Sequence, residues 1–174
     1  DWYRAHLNDY TARNYGVYLQ KSERGAEIKL RQSFGWSIHQ PFAYMDVLYT
    51  VTPDGALSIK CSAEMSNKVT FLPRFGIRLF LPQRFRQIEY FGYGPYESYS
   101  DKHHASYMGR FSADIEQLHE DYIRPQENGS HFGCRYLNVT DGDTSVRFSA
   151  NDVFSFNASL YTQEELSQKR HNFE

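Results

Sequence analysis

The sequence predicts an all-β protein, a large antiparallel β-sandwich carrying one or two short helices. Three observations predict it. Apolar and polar residues alternate with a period of two over several segments, the pattern that sends successive side chains to opposite faces of a strand. Turn-forming residues punctuate those segments. Phe, Trp and Tyr make up 17% of the chain, with 14 Tyr, and aromatic residues favour half-buried pleated surfaces.

The elements follow in order. Val17-Tyr18-Leu19-Gln20 and Ala26-Glu27-Ile28-Lys29-Leu30 flank Ser22-Glu23-Arg24-Gly25 and read as a hairpin. Residues 45–52 form a second β-rich run. Pro53-Asp54-Gly55 turns it into residues 56–65, where Leu57, Ile59, Cys61, Ala63 and Met65 share one face. Phe75, Ile77, Leu79 and Leu81 alternate with Gly76, Arg78 and Phe80, which predicts a strand ended by Pro82 and paired with residues 84–91. Residues 91–138 form a long irregular stretch rich in Gly, Pro, Tyr and His, and a loop of that length has a purpose or packs on a neighbour. Within it, Ile115, Leu118 and Tyr122 are spaced for one face of a helix over residues 112–122. Residues 145–150 and 153–161 read as two strands around Asn151-Asp152, with Phe154, Phe156, Ala158 and Leu160 on one face. Thr162 and Glu165 form a capping box that starts a short helix ending near Lys169. About nine strands exceed one immunoglobulin-like sandwich of about 100 residues, so a single larger sandwich over residues 1–174 is expected.

Composition excludes several function classes. The net charge is −2, with 19 basic and 21 acidic residues interspersed, so neither nucleic acid nor an anionic membrane surface is an expected partner. No apolar run reaches the roughly 18 residues of a membrane span. The chain opens on Asp1-Trp2-Tyr3-Arg4 without the basic and apolar regions of a signal peptide. Cys61 and Cys134 form no C-x-x-C motif, which predicts two reduced thiols in a cytoplasmic protein. On that reading the sequons at Asn128, Asn138 and Asn157 are coincidental.

Chemistry-bearing residues concentrate in the loop-rich region. A retaining glycosidase needs two carboxyls about 5–5.5 Å apart. Glu97, Asp101, Glu120, Asp121 and Glu127 are the candidates, and nothing in their spacing pairs any two of them. His103 and His104 would point to opposite sides of a strand, and His119 and His131 stand apart, so no metal-ligating set is expected. No nucleophile elbow or phosphate-binding glycine loop occurs. The segment Gly92-Tyr93-Gly94-Pro95-Tyr96-Glu97-Ser98-Tyr99-Ser100-Asp101 is distinctive, because two glycines and a proline after an aromatic strand demand a specific turn. Glu97 and Asp101 fit there as loop organisers that cap backbone N–H groups and pair with arginines. Alternatively, the loop presents Tyr93, Tyr96, Glu97 and Tyr99 to a sugar. Arg124-Pro125-Gln126-Glu127-Asn128-Gly129 has the same loop-forming character.

These motifs carry a family resemblance. Leu72-Pro73-Arg74-Phe75-Gly76, Phe91 to Asp101, Tyr122 to Gly129, Cys134-Arg135-Tyr136-Leu137-Asn138 and Phe154 to Thr162 resemble, in order and spacing, the C-terminal small-chain domain of glycoside hydrolase family 2 β-galactosidases. The resemblance runs from Trp2 to His171. Phe91 stands where the family often has Trp, and Lys102 where it often has Arg. It implies a supersandwich of the galactose-mutarotase type, as a piece of a longer bacterial enzyme that hydrolyses β-galactosides. It implies a TIM-barrel catalytic domain of the parent chain as partner, with homo-oligomerisation as a further expectation. The acid/base and nucleophile glutamates lie in that barrel, so no catalytic residue is carried onto this sequence. No cofactor is expected in this segment, with magnesium and sodium as the ions the parent enzyme would use. A galactoside-binding module using Tyr93, Tyr96, Tyr99 and Trp36 is the alternative, and a stand-alone mutarotase-like epimerase is a third reading.

Overall fold

A computed structural model describes residues 7, 9–36, 39–67, 69–72 and 74–173. The N-terminal Asp1-Trp2-Tyr3-Arg4 and Pro73 of the first family motif lie outside the described residues. The fold is all-β, as expected: two four-stranded antiparallel sheets with very little helix. The chain divides into two compact units, residues 1–78 and 79–174.

The first unit is a meander of β1 (Thr11–Ser22), β2 (Gly25–Gly35), β3 (Ala43–Val51) and β4 (Leu57–Met65), in that spatial order. Register sets its faces. Val17 lies opposite Leu30, Leu30 opposite Val47, and Val47 opposite Cys61, which makes one apolar row across four strands. The adjacent row, Tyr18, Lys29, Leu48 and Lys60, falls on the other face. Both predicted hairpins are present. The second turns as expected: the Thr52 N–H donates to the Ala56 carbonyl at 2.9 Å, and the Thr52 hydroxyl donates to Asp54.

The second unit holds β5 (Gln87–Gly94), β6 (Tyr107–Asp114), β7 (Ser130–Thr140) and β8 (Ser145–Asn157), in the order β6-β5-β7-β8. Its core is Phe85, Ile88, Tyr90, Ile115, Leu118, Cys134, Leu137, Val139 and Phe156. The short helix α1 (Gln163–Gln168) follows, and its capping box is formed: the Thr162 hydroxyl accepts from the Glu165 N–H at 3.2 Å.

Several predicted elements differ. Residues 75–81, expected as a strand, form none and are exposed throughout, so the alternation of their sequence is not matched by alternating burial. Residues 84–91 therefore do not pair with them, and β5 pairs with β6 and β7 instead. The expected helix over 112–122 is the end of β6 followed by a 3-10 turn, Ile115–Leu118. Asp114 stops the strand there, accepting from the Glu116 N–H at 3.0 Å. Ile115 and Leu118 still share a buried face, because a spacing of three also suits a 3-10 turn. The supposed irregular stretch contains β6 and most of β7. The two strands expected around Asn151-Asp152 are one long strand, β8, whose ladder with β7 is interrupted by bulges. Among the described residues there are eight strands, where about nine were expected of the chain.

Candidate functional site

Topology brings the distinctive motifs together. β5 runs antiparallel to β7, so the C-terminal end of β5 and the N-terminal end of β7 lie at the same end of the sheet. The loop leaving Gly94 and the loop entering Ser130 therefore meet there. The Gly94–Pro95 peptide bond is cis.

Glu97 is the hub of this loop cluster. Its carboxylate accepts from Lys102 Nζ at 2.6 Å, from the Gly129 N–H at 3.1 Å, from the Tyr99 hydroxyl at 3.4 Å and from the Tyr122 hydroxyl. The side chain is only 7% exposed, whereas that of Lys102 is 65% exposed. Burial pushes the Glu97 carboxyl up, but the hydrogen bonds from Lys102, Tyr122 and Gly129 outweigh it and hold the group below its usual range. The Tyr99 phenol is pushed up to about 12 by burial and by the Glu97 charge. Gly129 sits at φ 69, and a Cβ there would run into the Leu118 carbonyl. Only glycine both turns the chain here and brings its N–H to Glu97.

Ser98 and Asn128 lock the same loops. Fully buried Ser98 donates its N–H to the Ser130 carbonyl at 2.6 Å. Its hydroxyl donates to the Tyr93 carbonyl at 3.3 Å and accepts from the Phe132 N–H at 2.9 Å. Asn128 accepts from the Glu120 N–H at 3.0 Å and donates to the Gln126 carbonyl at 3.0 Å, and its own carbonyl accepts from Asn157 at 2.7 Å. Beneath lies buried His131, stacked on Phe156 with centroids 5.1 Å apart. Its Nδ1 is 3.0 Å from the Tyr90 hydroxyl and 3.3 Å from the Tyr93 carbonyl. A carbonyl only accepts, so that contact requires the proton on Nδ1. Nε2 is then a buried acceptor without a partner among the described residues. Burial lowers the His131 pKa.

The four residues singled out for sugar contact differ in setting: Tyr93 is in β5, and Tyr96, Glu97 and Tyr99 are on the loop that follows it. Tyr96 is 62% exposed. Tyr93 is half-buried against Phe132 and His103, at centroid separations of 5.9 and 5.3 Å. Tyr99 and Glu97 are held in the network just described. Trp36 belongs to the first unit, packed on Phe42 at 5.0 Å. The expected loop-organising arrangement of Glu97 is present with one change: its cation is Lys102, not an arginine. Asp101 and Asp121 are exposed, and the Glu120 backbone, not its carboxylate, engages Asn128. His103 and His104 do not point apart, because they lie outside any strand: their rings stack 5.1 Å apart at 12°. Among the described residues no three His, Cys, Asp or Glu side chains converge as a metal site, and no helix is long and apolar enough to cross a membrane. Both cysteines are free thiols. Sequence reasoning missed Lys102, Tyr122 and the Gly129 N–H as partners of Glu97. The last two lie 25 and 32 residues away, beyond any local signal.

Comparison with known proteins bears on the same motifs. The chain is 38% identical over 173 residues to a beta-galactosidase of Actinobacillus pleuropneumoniae, which covers 99% of this chain and 17% of that protein. It is 31% identical over 171 residues to a beta-galactosidase of Staphylococcus xylosus, covering 98% of this chain and 17% of that protein. It is 32% identical over 130 residues to one of Streptococcus thermophilus, covering 74% and 13%. The chain thus spans about a sixth of the length of these curated relatives, 17% in the first two. Residues 1–174 match the family described as beta galactosidase small chain throughout. With an all-β fold and the family's loop motifs joined in one network, the chain belongs to the beta galactosidase small chain family.

Proposed function

We propose that this chain is a non-catalytic accessory domain of a cytoplasmic bacterial β-galactosidase. In the intact enzyme it walls the active-site cleft and supports the TIM-barrel catalytic domain, which hydrolyses terminal β-galactosides with two glutamates of its own. The observation that carries this reading is the state of Glu97. A general acid needs a raised pKa and a nucleophile needs an open approach. Glu97 has neither: its carboxyl is held low and its oxygens are engaged by Lys102, Tyr99, Tyr122 and Gly129. Its chemistry is that of a loop clamp. Magnesium and sodium, where the parent enzyme uses them, are assigned to residues outside this segment. Homo-oligomerisation, if present, belongs to the intact enzyme.

The test is turnover of a chromogenic β-galactoside by the purified chain, with near-ultraviolet circular dichroism to establish that it is folded. No turnover above buffer is expected, and robust turnover by the folded chain would sink the reading.

A second reading is favoured by Tyr96, which stands 62% exposed on a loop that Glu97 and Ser98 hold rigid. A rigid, exposed ring is a stacking platform for a sugar face. Calorimetry with galactose and lactose distinguishes the two. Saturable binding in the millimolar range that is lost in Tyr96→Ala supports a galactoside-contacting surface. Absence of heat at tens of millimolar sugar leaves the supporting role alone.

A further inference from the structure

We propose that Asn128-Gly129 is a site of spontaneous deamidation, and that the Glu97 clamp holds it shut while the loops are folded. Asn128 is the one asparagine of the chain followed by glycine. Asparagine is thermolabile, and glycine after it has no Cβ to shield the attacking nitrogen. In the step, the Gly129 nitrogen bonds to Asn128 Cγ and gives up its proton to solvent. The Cγ–Nδ2 bond breaks, and Nδ2 takes a proton back from solvent and leaves as ammonia. Water then opens the cyclic imide at either carbonyl and returns a proton to the Gly129 nitrogen, which leaves aspartate or isoaspartate. No oxidant or reductant is involved.

The fold keeps both reactive residues. A Cβ at Gly129 would meet the Leu118 carbonyl, and its φ of 69 lies in the left-handed region. Asn128 ties three partners at once: the Glu120 N–H and the Gln126 carbonyl through its side chain, and Asn157 through its own carbonyl. Geometry therefore has to restrain the pair. Glu97 and Asn157 grip the peptide group between the two residues from both sides. Glu97 accepts its N–H at 3.1 Å, and Asn157 donates to its carbonyl at 2.7 Å. That plane cannot rotate to aim its nitrogen at Cγ without breaking a contact. Nδ2 is tied to the Gln126 carbonyl at 3.0 Å, and Asn128 is only 8% exposed to the water that would open the ring.

Charge adds to geometry. The attacking nitrogen must shed its proton and become negative, and it lies against a carboxylate. That carboxylate is too weak a base to take the proton, because its carboxyl is held below the usual range. Two like charges at this distance, beside a side chain only 7% exposed, repel with little screening. One contact works the other way: the Glu120 N–H, 3.0 Å from Asn128 Oδ1, would steady the negative charge that collects on that oxygen. Glu97 is thus the group that opposes the reaction at the nitrogen itself. The lesion would also undo the clamp. Loss of Nδ2 sets an acceptor against the Gln126 carbonyl, and isoaspartate lengthens the backbone by one carbon between the Asn157 and Glu97 contacts.

The experiment uses the intact β-galactosidase that carries this segment. Folded enzyme is incubated at mildly alkaline pH and digested with pepsin in acid, where the ring does not form. Mass spectrometry reads the conversion of Asn128 to aspartate, and enzymatic methylation reads isoaspartate. An unstructured synthetic peptide spanning residues 124–132 sets the unrestrained rate. The native enzyme should deamidate at least about tenfold more slowly than the peptide. Glu97→Ala and Glu97→Gln should each raise the native rate at least about fivefold, with circular dichroism establishing that the variant is folded. Ser98→Ala loosens the same loops without touching the Gly129 N–H, and should raise the rate less than either. A native rate equal to that of the peptide overturns the proposal, as does a folded Glu97 variant that deamidates at the parent rate. Equal acceleration by Ser98→Ala also overturns it, because general loosening would then explain the effect. If Glu97→Ala does not fold, Glu97→Gln and the peptide comparison decide.

Discussion

Glu97 shows how one carboxylate can be ionised, nearly buried and structural. Removing it strands the Gly129 N–H and the Tyr99 and Tyr122 hydroxyls. Glu97→Ala should therefore destabilise the second unit by about 2–3 kcal/mol, read by urea denaturation. The pH dependence follows from the direction of its shift. The folded group holds its charge to lower pH than the unfolded one, so the unfolded chain takes up the proton first as pH falls. The stabilisation is complete well above the ordinary glutamate value of about 4.3 and is lost as pH drops below it. Glu97→Gln should flatten this acid limb, and an unchanged slope would show that the carboxyl is not clamped. His131 acts in the same direction at higher pH. Burial lowers its pKa, so the unfolded imidazole protonates first below the ordinary value of about 6.5, and stability falls from there. His131→Gln should lower stability overall yet remove that slope. Ser98→Ala, which strands the Phe132 N–H, should cost about 1–3 kcal/mol with no pH signature.

At the scale of elements, periodicity was legible where a strand's partner follows it across a short turn. Both hairpins of the first unit read directly, because turn residues and alternation agree at Ser22 to Gly25 and at Pro53 to Gly55. The capping box at Thr162 and Glu165 is a local device and read equally well. Long-range pairing was not legible. The end of β6 and the 3-10 turn after it read as one helix because Ile115 and Leu118 obey a spacing shared by helices and 3-10 turns. β8 looked broken because Asn151-Asp152 carries turn chemistry, yet the strand runs through it. In the site, Tyr93, Tyr96, Glu97 and Tyr99 were visible as a motif, while the network that uses them was not. Glu97 meets Tyr122 and Gly129 only after β5 and β7 are laid side by side. The family motifs are recognisable because they solve that closure: Ser98, Asn128, Gly129 and Asn157 come from three motifs and bond one another's loops. Leu137→Ala tests the sheet beneath them. Leu137 is buried in the core of the second unit, and a loss of about 2–5 kcal/mol is expected.

At the scale of the whole molecule, the surface is that of a part. Phe71, Phe75, Ile77, Phe80, Val17, Leu19 and Leu57 are all exposed. In isolation the chain should bind a hydrophobic dye and self-associate at tens of micromolar, measured by fluorescence and light scattering. A monodisperse monomer that binds no dye would mark a complete domain instead. The central claim, that no acid of this segment performs the hydrolysis, is tested most directly in the intact enzyme. Glu97, Asp101, Glu120, Asp121 and Glu127 are each replaced by the corresponding amide, and kcat is measured on a chromogenic β-galactoside. Every variant is predicted to retain kcat within about 100-fold of the parent, below the loss expected for a principal catalytic group. A drop beyond about 10,000-fold in any one of them, with an unchanged unfolding transition, would place a catalytic carboxylate here and contradict the account.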